Sequence, residues 1–293
     1  RRSSDLAKAA KAAITAVESS GYYDLYDEGT PETNYEHVWT APDNKEIILA
    51  NKKYRNFTTS SHPITSNIPA WAGSSWSDGG LFTTFNFVRF YEKKDGNQQT
   101  WNMDGGDDLL EKYDELDPRF AQTIAAHGAN WNTEIGILNF LPGGAHNVAN
   151  DKTKHLVRKW VPRVLRATAP RNSTNMDWIV FRVAELYLNY AEAMYHCGKE
   201  DVAREYVNYI RKRARGGRED ILPDVTESGE ALLAKIQHER KVELAFEEHR
   251  FYDVRRWKIA EKELNDKLFG WKVAASDQKA FYNNGNGPVV VES

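Results

Sequence analysis

Residues 181–217 read FRVAELYLNYAEAMYHCGKEDVAREYVNYIRKRARGG, and residues 232–257 read LLAKIQHERKVELAFEEHRFYDVRRW. The first stretch fits a helix–turn–helix repeat of the tetratricopeptide type, whose period is about 34 residues. Ala191 stands where two helices must approach closely, Gly198 makes the turn, and Ala203 lies five residues beyond it. Tyr187 and Tyr206 flank those small positions. The second stretch adds a dense run of charge interleaved with aromatic residues, which a plain repeat does not need.

Working outward from this array, the pattern predicts a helix over 177–197, capped by Asp177 and stopped by Gly198. A second runs over 200–215 to the Gly216–Gly217 pair, a third over 228–248 and a short fourth over 253–264. Residues 283–293 read as a loop or frayed end. At the other end, Leu6, Ala10, Ala13, Ile14 and Val17 recur at helical spacing within 1–28, and Gly21 stops the helix. Lysines interrupt that segment, so it lacks the continuous apolar region of a signal peptide. It reads as the second helix of a repeat, and the chain is expected to be the C-terminal portion of a longer protein.

Between these helical ends, residues 29–171 hold eight of the ten prolines and six of the nine tryptophans. Punctuation at that density breaks long helices. The expectation is an irregular, loop-rich insertion with strands near 45–50, 85–91 and 156–161 and a helix near 107–116. The fold class is therefore mainly α, with tetratricopeptide-like repeats and an irregular insertion carrying short strands. The segments are 1–28, 29–171 and 172–293.

The bulk numbers exclude several function classes. A net charge of −3 over 293 residues gives no reason to expect nucleic acid. The basic run at 152–171, with Lys154, Arg158, Lys159, Arg163 and Arg166, is either a solvated face with intramolecular ion pairs or a lure for an acidic glycan. A single cysteine, Cys197, rules out an internal disulfide framework. No stretch approaches the roughly 18 apolar residues of a spanning helix.

Searches for chemistry end in scaffold. His238-Glu239 opens a zinc motif that fails at Val242. Asn102–Asp108 offers oxygen ligands at the wrong spacing for a calcium loop, because Gly106 occupies the fifth position. No metal and no cofactor is expected. Glu239, Glu243 and Glu247 recur every four residues on one helix face, where like charges need compensation. Arg250, Arg255 and Arg256 are the nearby cations, and an arginine–carboxylate network fixing the corner between helices is the expectation.

The tryptophans divide. Trp160, Trp178 and Trp257 fall at apolar positions and read as core. Trp71 and Trp76 lie in NIPAWAGSSWSDGG (67–80), a loop with little apolar support. An indole face can stack on the C–H face of a pyranose while nearby polar side chains hold its hydroxyls. Asp78 is the polar partner in that loop, and Asn67, Tyr54 and Trp101 are further candidates, with Trp131 beside them. The competing reading is that these rings plug their own subdomain.

RVAELYLNYAEA (182–193), VNYIRKRA (207–214) and ERKVELAFEEHRFYDVRRW (239–257) together resemble the C-terminal signature of the SusD/RagB family. Further pieces agree in the same order: NKEIILANKKYR (44–55), TFNFVRFYEKKDG (84–96) and DPRFAQTIAAHG (117–128). The resemblance implies a non-catalytic outer-membrane lipoprotein facing outward, which binds an oligosaccharide and delivers it to a SusC-like TonB-dependent transporter. The lipid anchor would lie on the N-terminal part outside this chain. The alternatives are a RagB-like peptide binder and a tetratricopeptide-type adaptor. A glycoside hydrolase would need two carboxylates about 5–10 Å apart across a sugar, and no such pair stands out.

Overall fold

A computed structural model describes residues 2–52, 69–72, 81–103, 109–147, 153–161, 163–164, 177–272 and 287–290. Its elements in chain order are α1 (Arg2–Ser20), α2 (Asn34–Thr40), β1 (Ile47–Asn51), a 3₁₀ turn at Ala70–Ala72, α3 (Phe85–Val88), α4 (Leu109–Asp114) and α5 (Arg119–Thr123). Then follow β2 (Ile124–Ala126), β3 (His155–Val157), β4 (Trp178–Arg182), α6 (Val183–His196), α7 (Glu200–Ala214), α8 (Gly229–Glu243), α9 (His249–Arg256), α10 (Ala260–Leu264), β5 (Phe269–Lys272) and β6 (Gly287–Val290). The chain is mainly helical. Beside the expected segments, the compact units are Arg1–Lys53 with Met176–Ile259, and Tyr54–Asn175 with Ala260–Ser293.

The first unit is the helical one. α6 packs against α1, α7 and α8, and Ala191 and Ala203 are fully buried where α6 and α7 meet. Small side chains there let two backbones approach, and aromatic rings fill the flanks. Tyr206 lies edge-on to Tyr187 at 5.0 Å and to Tyr190 at 4.7 Å. Gly198, at φ +71°, ends α6 in a Schellman turn. Its N–H donates to Tyr195 O, and Lys199 N–H reaches Met194 O, both at 2.9 Å. On α1, Ala7, Ile14 and Val17 are buried and Ala10 and Ala13 partly so, whereas Leu6 of the expected stripe is exposed.

Four expectations are corrected. The helix expected over 177–197 begins at Val183, because Trp178–Arg182 is strand β4, antiparallel to β1 with Ala50 opposite Ile179. Asp177 is therefore no cap. Residues 85–91 are not a strand: Phe85, Val88 and Tyr91 are all fully buried at a spacing of three, the face of a helical turn. The helix expected over 228–248 stops at Glu243, and positive φ at Phe246 and Glu248 turns the chain before α9. Within the tail, Gly287–Val290 is a strand paired with Phe269–Lys272.

A buried charge cluster holds the helical unit. The Arg182 guanidinium is bidentate to Glu247, with Nε–Oε2 at 2.9 Å and Nη2–Oε1 at 2.8 Å. Its Nη1 also reaches Glu46 Oε1 at 2.5 Å and Glu243 Oε1 at 2.7 Å. Arg213, from the last turn of α7, pairs with the same Glu46 at 3.1 Å and with Glu243. Burial alone would lower the Arg182 pKa, but Glu247, Glu243 and Glu46 outweigh it and hold it well above the usual value. The expected network is present with different cations. Glu239 pairs with Arg211, while Arg256 serves Glu192 and Asp253, and Arg255 lies over the Phe251 ring.

Removing the central cation takes the shared guanidinium from three buried carboxylates, Glu46, Glu243 and Glu247. Arg182→Met is expected to lower unfolding stability by about 3–5 kcal/mol, the usual cost of stranding buried charge. Urea unfolding monitored by far-ultraviolet circular dichroism measures this, and a loss below about 1 kcal/mol would contradict it.

Candidate functional site

The second unit is built on rings rather than long helices. In one cluster His155 is fully buried, and its Nε2 lies 2.6 Å from Tyr113 Oη and 3.1 Å from Trp271 Nε1. An indole N–H only donates, so Nε2 accepts and the ring proton sits on Nδ1. Burial pushes the His155 pKa down to about 3. Phe85 packs edge-on to Trp271 at 4.8 Å and to Trp101 at 5.0 Å. Trp101, a candidate from the sequence, thus sits half-buried against Phe85, and its indole Nε1 is buried without a partner.

Trp71 lies in a different cluster. The 3₁₀ turn Ala70–Ala72 buries Ala72 and leaves the indole half-buried, with its Nε1 buried and without a hydrogen-bond partner. Its ring meets Trp131 and His146 edge-on, each at 5.2 Å, and Phe140 at 6.3 Å. Trp131 is buried, with the Arg158 guanidinium 5.7 Å from its ring centre. The structure therefore joins Trp71 to Trp131, and seats Trp101 among other rings. Trp76, Asp78, Asn67 and Tyr54 lie outside the described residues.

Two histidines brace this surface. His127 Nδ1 accepts the Phe140 N–H at 3.2 Å, and His146 Nδ1 accepts the Asn139 N–H at 2.9 Å. Burial pushes the His127 pKa down to about 4 and lowers that of His146, so both rings are neutral near pH 7. Neither histidine stood out in the sequence. The PGGAHN run (142–147) after Phe140 was the available signal. Where the basic run is described it is partly internal, since Arg158 and Lys159 are buried and Lys154 Nζ donates to Asn147.

The helical unit has an open cleft of about 620 Å³ whose walls include Glu18, Asp24, Asp27, Tyr187, Tyr209 and Lys212. Burial pushes the Tyr187 phenol up to about 12, and a hydrogen bond to Glu205 does the same for Tyr209. Both stay protonated. Among the described residues, no group of three or more His, Cys, Asp or Glu side chains is placed to hold a metal ion. No described helix is long and apolar enough to cross a membrane.

The sequence pattern of the SusD family matches residues 36–291, and the chain belongs to that family. SusD-like protein P2 of Formosa agariphila is 39% identical over 103 residues, which are 34% of this chain and 19% of that protein. Among solved structures, a SusD-like protein from Bacteroides fragilis superposes with a TM-score of 0.77 at 28% identity, over 99% of this chain and 56% of the other. A SusD-like carbohydrate binding protein from the same organism gives a TM-score of 0.68 at 22% identity, over 98% and 57%. At that identity it speaks to the fold alone. The chain spans about a fifth of the curated relative and just over half of each solved chain.

The His155 pocket makes stability depend on pH. The unfolded imidazole binds a proton near pH 6.5 and the folded one near 3. Stability is thus complete above about pH 6.5 and is lost progressively as pH falls towards 3. At pH 5 the expected loss from this residue is about 2 kcal/mol. Urea unfolding at pH 7.5 and pH 5 should show that loss in the wild type and a smaller one in His155→Gln.

Proposed function

We propose that this SusD-family chain is the ligand-binding part of a non-catalytic surface protein that captures an oligosaccharide. The observation that carries the reading is Trp71, a half-buried indole held by Trp131, Phe140 and His146. A rigid ring costs little entropy to order on binding, and its face is the right size and polarity for the C–H face of a pyranose. The loop around it is rich in Ser, Asp, Asn and Gly, whose polar groups satisfy sugar hydroxyls. Family membership supports the same ligand-binding reading.

On this reading Trp71, Trp76, Asp78, Asn67 and Tyr54 contact the sugar. Trp101 contributes through the second ring cluster. The cargo passes to a SusC-like TonB-dependent transporter in the outer membrane, with the protein lipid-anchored on the outward face. Binding by a few stacked sugars is weak to moderate, which suits a protein that must release what it captures. The open, charged cleft of the helical unit favours a second reading, in which a peptide is the cargo.

Screening the wild type against an array of neutral and anionic oligosaccharides, followed by calorimetry, tests the reading. Trp71→Ala is expected to weaken the selected oligosaccharide at least tenfold while leaving the circular dichroism spectrum unchanged. Undiminished affinity in that variant removes Trp71 from the site. Binding to a peptide library instead of any glycan establishes the second reading.

A further inference from the structure

The segment from Asn139 to His146 is closed on itself by one backbone–side-chain and one backbone–backbone hydrogen bond between its ends. Asn139 N–H donates to His146 Nδ1 at 2.9 Å, and His146 N–H returns to Asn139 O at 3.1 Å. Gly144 N–H caps Leu141 O at 2.8 Å. A Cβ at Gly144 would lie 2.5 Å from Asn139 Oδ1 and 2.6 Å from Asn139 O, so only glycine permits this closure. Asn139 Oδ1 accepts the Leu141 N–H at 3.1 Å.

These bonds settle the chemistry of two side chains. With Nδ1 engaged as an acceptor in a neutral ring, the His146 proton must sit on Nε2. With Oδ1 engaged, the Asn139 amide must turn its Nδ2 the other way. Neither Nε2 nor Nδ2 has a hydrogen-bond partner among the described residues, and neither is a buried orphan. His146 is half-buried and edge-on to Trp71. Two pre-oriented donors therefore stand in the loop that braces the half-buried indole.

We propose that His146 Nε2–H and the Asn139 side-chain amide donate hydrogen bonds to hydroxyl oxygens of a saccharide stacked on Trp71. This rests on the glycan-binding reading above. An aromatic face alone tolerates many sugars, whereas donors at fixed positions select hydroxyl configuration, because a mismatched sugar leaves them dehydrated and unpaired. The pair would supply selectivity among pyranoses, and the indole the bulk of the affinity.

Two substitutions separate the Nε2 donor from the Nδ1 brace. In His146→Gln the amide nitrogen takes the place of Nε2 and the acceptor at Nδ1 is lost. In His146→Asn the carbonyl takes the place of Nδ1 and the donor at Nε2 is lost. Calorimetry with the oligosaccharide selected by the wild type on the array should show His146→Asn about five- to tenfold weaker and His146→Gln within about twofold. Asn139→Asp, which keeps Oδ1, should weaken it by a similar factor. A long-range ¹⁵N–¹H spectrum should show His146 protonated on Nε2. The reverse ranking of the two His146 variants, or protonation on Nδ1, overturns the proposal in favour of a purely structural role. Unchanged affinity in all three variants, with loss in Trp71→Ala, overturns it while the glycan reading stands. No saccharide binding by the wild type overturns both.

Discussion

One guanidinium organises the helical unit. Arg182 sits at the junction of β4 and α6, and its partners come from the residue preceding β1, the end of α8 and the turn before α9. Arg213 joins the same carboxylates from the end of α7. A planar group with five donors satisfies several carboxylates only in one arrangement of the elements that supply them. Apolar packing between helices tolerates small slides, and this cluster does not. Its net contribution to stability is modest, because desolvation offsets most of the attraction. Its consequence is register: Glu247 can face Arg182 only if α8 ends at Glu243 and the chain turns through the positive φ values of Phe246 and Glu248.

The other unit solves a different problem. Among its described residues the helices are one or two turns long and the sheets two-stranded, and none of these elements offers a long apolar stripe. Aromatic rings compensate, since each buries on the order of 150–250 Å². Rings also bring polar handles into the interior. His155 Nε2, His127 Nδ1 and His146 Nδ1 each take part in hydrogen bonds, and at His146 the bond to Nδ1 fixes the tautomer and the direction of the other ring N–H. The hydrogen bond that closes the Asn139–His146 loop thereby also sets the direction of one donor, the His146 Nε2–H.

Legibility followed the range of the interaction. The α6–α7 pair was readable because Ala191, Gly198 and Ala203 act over a few residues, and the Schellman turn at Gly198 is a local device. The carboxylates at Glu239, Glu243 and Glu247 were readable as a face that needed cations. Their partners were not, because Arg182 and Arg213 are 61 and 30 residues from Glu243 in the chain, whereas Arg250, Arg255 and Arg256 only seemed nearest along the sequence. The stretch 85–91 is apolar and aromatic enough for a strand, and only the burial of Phe85, Val88 and Tyr91 at a spacing of three marks it as a helical turn. Trp71 was singled out as a ring in a punctuated loop, but His146 and Asn139 acquire meaning only from the bonds that link them.

By itself the sequence determined the family, the predominance of helix, the repeat-like turn at Gly198 and the presence of a Trp- and Pro-rich insertion, since each rests on composition or on spacing within about one repeat. Tertiary structure decided which arginine neutralises which glutamate, where β4 replaces the first turn of an expected helix, and which rings surround Trp71. Those outcomes depend on groups far apart in the chain meeting in a low-dielectric interior, where an unpaired charge or N–H is costly enough to dictate the arrangement.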